Sequence, residues 1–101
     1  MPPALEAVRR RLEDGAFRRV VLTGMGGSFH GLWPLYLRLI EQGRPAVMVE
    51  TSELLHYQRP LVGPGSLLVV VSQSGRSAEV VRLLEEARGR ATVVAVTNTP
   101  E

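Results

Sequence analysis

Leu67-Leu68-Val69-Val70-Val71, then Ser72-Gln73-Ser74-Gly75-Arg76-Ser77, then Ala78-Glu79-Val80-Val81-Arg82-Leu83-Leu84-Glu85-Glu86-Ala87-Arg88 is the stretch that decides the fold class. Its opening run is the longest wholly apolar segment of the chain. A continuous apolar run rich in β-branched residues is a strand buried on both faces, as a parallel sheet requires. The polar, glycine-containing segment after it breaks the strand. The last segment has helical period, with Val81, Leu84 and the Val80/Ala87 flank pointing inward. Glu79, Arg82, Glu85, Glu86 and Arg88 face water, and Arg82 and Glu86 are spaced to pair along one helix face.

The same alternation extends in both directions. Downstream, Thr92 to Val96 reads as a fourth strand. Upstream, Gly63-Pro64-Gly65 is a turn, and Thr51 to Tyr57 is a short helical turn capped by Ser52 or Thr51 and ending near Pro60. Ala46 to Glu50 is a strand. Leu32, Leu35, Tyr36, Leu39 and Ile40 form a helical stripe between Phe29 and Glu41, closed by Gly43 and Pro45. Pro34 lies inside that stripe, so the helix either starts late or kinks there. Arg19 to Thr23 is a buried strand that breaks at Gly24. Pro3 suits a first helical turn, Leu5, Val8 and Leu12 continue it, and Gly15 stops it. The order helix, strand, helix, strand, turn, strand, helix, strand predicts an α/β fold on a parallel sheet, with right-handed crossovers and Leu67 to Val71 central.

At 101 residues and 11.1 kDa the chain allows one domain. It is 45% hydrophobic and 22% charged with mean hydropathy +0.06, a globular balance rather than a disordered one. Net charge is only +2; the pI near 9.9 arises because all 12 basic residues are Arg. Without Cys there is no disulfide framework, zinc knuckle or thiol nucleophile. Without Lys there is no Schiff base and no Walker-type phosphate lysine. No apolar run is long enough to span a bilayer, and the N-terminus lacks the basic and apolar regions of a signal peptide, so a cytoplasmic protein without a membrane partner is expected. Two Phe, two Tyr and one Trp are too few for a base-stacking platform, and the Arg residues are interleaved with Glu, so no nucleic-acid partner is expected.

In an open α/β sheet, ligands bind beyond the carboxyl ends of the strands, where strand order reverses. Two loops have the composition for this. Gly24-Met25-Gly26-Gly27-Ser28 lets backbone amides approach a ligand and leads into a helix start, which favours an anion. Ser72-Gln73-Ser74-Gly75-Arg76-Ser77 offers three hydroxyls, one carboxamide and the amides of a first helical turn. Together they form a neutral cradle rich in donors, suited to a phosphate bearing a polyol. The plainer reading of the first loop is a tight strand-to-helix connection. That of the second is a Ser74 N-cap, which explains one serine and leaves Ser72, Gln73 and Ser77 without a reason. Arg76 opposes the helix macrodipole unless an anion is bound or its charge points to water.

A dinucleotide site is the competing reading. Gly24-Met25-Gly26 begins G-x-G-x-x-G and Glu50 stands where a ribose-binding acid would, but Phe29 occupies the third glycine's place. A serine hydrolase fits less well, because Gly26-Gly27-Ser28-Phe29-His30 lacks the final glycine of a nucleophile elbow and Asp14 is the only Asp. His30 could reach a sugar hydroxyl, although a packed or capping histidine is the commoner case. His56 has no second ligand at metal spacing and is expected at the surface or an interface, so no metal is expected. Trp33 and Tyr36 suit the core or a subunit contact. Glu50 and Glu53 could work as acid or base only if buried near the site.

Val70-Val71-Ser72-Gln73-Ser74-Gly75-Arg76-Ser77-Ala78-Glu79, with Gly24-Met25-Gly26-Gly27-Ser28-Phe29-His30 before it and Val96-Thr97-Asn98 after it, resembles the sugar isomerase (SIS) domain. Within that family the likeness is to the first SIS domain of glucosamine-6-phosphate synthases and their relatives without a glutaminase domain; Thr51-Ser52-Glu53-Leu54 also fits. The resemblance runs from about Phe17 to Pro100. It implies a three-layer α/β/α fold with a flavodoxin-like parallel sheet of five strands. It implies that Ser28, Ser72, Gln73, Ser74 and Ser77 hold a sugar phosphate, with Gly26, Gly27, Gly75 and Arg76 as further contacts. The family usually reads Cys-Gly-Thr-Ser in the first loop, and an acidic residue and Thr where Arg76 and Ser77 stand, so affinity or preference is expected to differ.

The implied function is binding of a phosphorylated sugar or amino sugar, of the fructose 6-phosphate or glucosamine 6-phosphate type. The setting would be a sugar-phosphate isomerase, aminotransferase or deaminase. In those enzymes the main catalytic groups come from a second SIS domain or the far C-terminus, so no catalytic residue is assigned and no cofactor is expected. A second SIS domain or a homodimer partner is expected, and residues 1–101 are expected to be a single SIS domain truncated after the fourth strand. A regulatory SIS module that senses a sugar phosphate without catalysis is the alternative, and a Rossmann-like dinucleotide domain the second alternative.

Overall fold

A computed structural model of the chain describes residues 3–72 and 78–97. In chain order the elements are α1 (Pro3–Glu13), β1 (Arg19–Gly24), α2 (Gly27–His30), α3 (Trp33–Glu41), β2 (Ala46–Met48), α4 (Thr51–Tyr57), a 3₁₀ turn (Arg59–Leu61), β3 (Ser66–Ser72), α5 (Ala78–Ala87) and β4 (Thr92–Thr97). The four strands form one parallel sheet in the order β2-β1-β3-β4. The described sheet has four strands where the family resemblance implied five.

Strand pleating divides the core into two layers. Val20 and Leu22 of β1, with Leu67 of β3, face α1, α2 and α3, and pack with Phe17, Leu32 and Leu39. Val21, Leu68 and Val70 face the other way, onto Leu54 and Leu55 of α4 and Val80, Leu83 and Ala87 of α5. The fold is therefore α/β/α. The chain moves from β1 to β2 with its helices on one face, then reverses direction across the sheet with α4 and α5 on the other. Direction and face reverse together, as crossovers of one common hand require. The reversal makes the carboxyl ends of β1 and β3 the switch point of the sheet.

Of the two options left open at Pro34 the late helix start holds, and two other local expectations need correction. Pro34 does not kink a long helix: α2 ends at His30 and α3 begins at Trp33, so the proline falls in a first turn, where its missing N–H breaks no bond. On α5 the inward stripe is Val80, Leu83 and Ala87, while Val81 is 40% exposed. Leu84 is partly buried against the same core, as expected, and the burial of Leu83 rather than Val81 is what helix period alone left open. Neither Thr51 nor Ser52 caps α4; Glu50 occupies the N-cap position with no side-chain bond, because both hydroxyls are used elsewhere. Trp33 is 53% exposed and belongs to no core cluster; its ring lies against that of Tyr36, with centroids 5.3 Å apart.

Gly24 sets the spacing at the switch point. A Cβ there would lie 2.9 Å from the carbonyl oxygen of Val71 and 3.1 Å from the amide nitrogen of Phe29, both backbone atoms. Gly24→Ala is expected to destabilise the fold by about 1–3 kcal/mol, as overpacking against immovable backbone does. Thermal or urea denaturation checks this, and an unchanged midpoint would show that β1 and β3 are not in such close contact.

Candidate functional site

The parallel register places Gly24 beside Val71 and ends β1 and β3 at the same level. The two loops singled out in the sequence thus leave the sheet from adjacent strands. Gly26 has φ 57° and ψ −131°, a backbone state that side chains disfavour, and it turns the chain from β1 into α2. Its carbonyl accepts hydrogen bonds from the amides of Phe29 at 3.1 Å and His30 at 3.3 Å. Gly27 is different: a Cβ there would meet nothing within 4 Å, and its φ is not positive. Ser28 lies in α2, but its side chain is outside what is described. Ser72 closes β3 and is 8% exposed. Gln73, Ser74, Gly75, Arg76 and Ser77 lie outside the described residues. The structure thus brings Gly26, Gly27, the α2 backbone and Ser72 to one edge of the sheet.

Other candidates lie around the same end of the sheet. His30 ends α2, is exposed, and stands edge-on to Phe29 with centroids 5.7 Å apart. Glu50 and Glu53 are both exposed and line an open groove of about 510 Å³ beyond the carboxyl end of β2, with Phe29, Val49 and Gln58. Neither carboxylate has the burial that acid–base work was expected to need. His56 is exposed, as expected, and its Nε2 stands 3.4 Å from Oε2 of Glu79. Among the described residues no group of three His, Asp or Glu side chains could hold a metal ion. No helix among them is long and apolar enough to cross a membrane.

Two side-chain links at the same edge were not anticipated. Thr23, the residue before Gly24, and Thr51, the first residue of α4, are fully buried, with their Oγ1 atoms 3.0 Å apart. This hydroxyl pair ties the end of β1 to the start of α4 within the core layer under α4 and α5. Ser52 then donates from Oγ to Oε2 of Glu79 at 2.8 Å, tying α4 to the first turn of α5. The sequence signal was only that two hydroxyl residues sat at a helix start, which reads as a cap; the partners are 28 and 27 residues away.

Residues 17–101 match the family described as SIS domain. The chain is 42% identical over 88 residues to a glutamine–fructose-6-phosphate aminotransferase (isomerizing) of Symbiobacterium thermophilum, covering 85% of this chain and 14% of that protein. It is 26% identical over 107 residues to the arabinose 5-phosphate isomerase KpsF of Escherichia coli, covering 94% of this chain and 33% of that one. The fold matches the structure of the C-terminal domain of glucosamine-fructose-6-phosphate aminotransferase from Francisella tularensis, with a TM-score of 0.72 at 21% identity, over 100% of this chain and 30% of that chain. The chain therefore spans a third or less of the length of these two curated relatives.

Thr23→Val is expected to leave the Thr51 hydroxyl buried without a partner and to cost about 1–3 kcal/mol. Replacing both threonines with valine should recover most of that loss, since no polar group is then stranded. Denaturation midpoints of the single and double variants check this; additive losses would show that the two hydroxyls do not pair.

Proposed function

The chain belongs to the SIS domain family, and from that premise we propose that it binds the phosphate of a phosphorylated sugar or amino sugar between its two switch-point loops. The single observation that carries the reading is the side-by-side exit of those loops from β1 and β3 in a chain that matches the family over 17–101. Backbone amides around Gly26 and Gly27 would approach the anion from one side. Ser28 would add a hydroxyl on that side, and Ser72, Gln73, Ser74 and Ser77 would supply hydroxyl and amide donors from the other, with Gly75 and Arg76 as further contacts. Donors of this kind hold a phosphate through hydrogen bonds to a charged acceptor, without a lysine or a metal.

The chemistry proposed for the whole protein draws on its relatives. One is named for arabinose 5-phosphate isomerisation and one for amination of fructose 6-phosphate with isomerisation. Isomerising a sugar phosphate moves a carbonyl between adjacent carbons. We place this chain in a protein that carries out such an isomerisation, an amino transfer or a deamination, with a second SIS domain or a second copy completing the active site. Binding and chemistry are separable here. The switch-point loops contain neutral groups that hold charge, whereas moving a proton between carbons needs a positioned acid or base. Glu50, Glu53 and His30 are exposed. A cytoplasmic setting follows from the sugar phosphate proposed as ligand.

Fructose 6-phosphate, glucosamine 6-phosphate or arabinose 5-phosphate is expected to raise the melting temperature of the chain, while the unphosphorylated sugars are not. Ser74→Ala should weaken binding by about 1.5–3 kcal/mol, the range for a hydrogen bond to a charged group. Stabilisation by NAD and by no sugar phosphate would replace this reading with the dinucleotide one.

Gly27 offers a complementary gain-of-contact test. The family usually has Thr in this place, and the space around Gly27 is open. Gly27→Thr is expected to leave folding intact and to tighten sugar-phosphate binding roughly fivefold, the effect of one added hydrogen bond. Calorimetric titration of the variant measures it; weaker binding would mean that the ligand backbone contact needs a glycine there.

A further inference from the structure

We propose that Glu79 is a positioning residue: held by Ser52, it braces the start of α5 against α4 and so fixes where the second ligand-binding loop enters its helix relative to the end of β1. This rests on the function proposed above. The Oγ1 atom of Thr23 is 3.0 Å from that of Thr51, both side chains being fully buried. That bond anchors the first residue of α4 to the end of β1, one residue before the first loop. The next residue, Ser52, donates to Oε2 of Glu79 at 2.8 Å, and His56 on the following turn of α4 approaches the same oxygen at 3.4 Å. Glu79 is the second residue of α5, immediately after the segment that carries Ser72 to Ser77. A continuous set of side-chain bonds therefore runs from the end of β1, through the start of α4, to the start of α5.

An ordinary surface ion pair would explain Glu79 and His56, because each side chain is a third to a half exposed, at 34% and 47%. It would not explain Ser52. This hydroxyl is adjacent to the buried Thr51, lies inside the first turn of α4, and reaches across to another helix. Charge favours the arrangement too, since a carboxylate in the first turn of α5 complements the helix macrodipole. Other charged groups serve a separate contact lower on α5: Arg59 of the 3₁₀ turn reaches Oε2 of Glu86 at 2.9 Å, and Arg82, one turn earlier on α5 itself, reaches the same oxygen at 3.4 Å. That second contact holds the body of α5 and leaves the Ser52–Glu79 bond to hold its beginning.

The test is calorimetric titration of fructose 6-phosphate into the wild-type chain and into Ser52→Ala, Glu79→Ala, Glu79→Gln and the double alanine variant, with melting temperatures measured alongside. Ser52→Ala and Glu79→Ala are each expected to weaken binding roughly fivefold, the effect of losing one hydrogen bond to a charged group through an intermediate. The double variant should be no worse than Glu79→Ala, because both changes break the same link. Glu79→Gln, which keeps an acceptor for Ser52, should recover most of the affinity. Binding that is undiminished in both single variants, or lowered only in step with melting temperature and not rescued by Gln, overturns the positioning role alone. A wild-type chain that binds neither fructose 6-phosphate, glucosamine 6-phosphate nor arabinose 5-phosphate overturns the functional reading, and the role of Glu79 falls with it.

Discussion

The close parallel pairing of β1 with β3 is the constraint on which the remainder depends. It runs from Arg19 beside Ser66 to Gly24 beside Val71, with no irregularity in register. At its carboxyl end the two backbones and the first turn of α2 converge on Gly24, which has no room for a side chain. That convergence makes the loop after β1 and the loop after β3 neighbours. Because β2 lies on the far side of β1, the pair is also the point where strand order reverses. Open α/β sheets bind ligands in the crevice that such a reversal leaves.

Burial supports this pairing from both faces. Apolar side chains alternate along β1 and β3 to fill two core layers, one under α1, α2 and α3 and the other under α4 and α5. The buried Thr23–Thr51 pair interrupts the second layer at its upper edge. A hydrophobic pair of similar volume would fill that space at little cost in stability. The hydroxyls give direction instead: they fix one end of α4 to the end of β1, a requirement that packing alone meets less sharply. Ser52 and Glu79 extend the same ordering to α5. The edge of the sheet that carries the proposed ligand site is thus the edge where side-chain links tie β1, α4 and α5 together.

Much of this was legible in the residues, for identifiable reasons. Leu67 to Val71 announces a strand buried on both faces because no polar residue interrupts it, and β3 is found at Ser66–Ser72, between β1 and β4. The polar segment from Ser72 to Ser77 and the glycines at Gly24, Gly26 and Gly27 mark the two switch-point loops by composition, and the register shows that these loops leave adjacent strands. What depended on contacts between distant elements was not legible. Leu83 rather than Val81 is buried, which helix period alone left open. Thr51 and Ser52 read locally as caps, and only the fold supplies Thr23 and Glu79 as partners. Pro34 left two options open, and a break between α2 and α3 resolved them. For the site, Gly26, Gly27 and Ser72 lie at the carboxyl ends of β1 and β3, while Glu50 and Glu53 line a groove beyond β2 that Phe29 of α2 also borders.

The central claim is that one phosphate is held jointly by the two loops at the β1–β3 switch point. A crystal structure of the chain with fructose 6-phosphate tests it most directly. The phosphorus is expected at the carboxyl ends of β1 and β3, with hydrogen bonds from both the Gly24–Ser28 and the Ser72–Ser77 segments. A phosphate bound through one segment only, or lodged in the groove lined by Glu50 and Glu53, would contradict it.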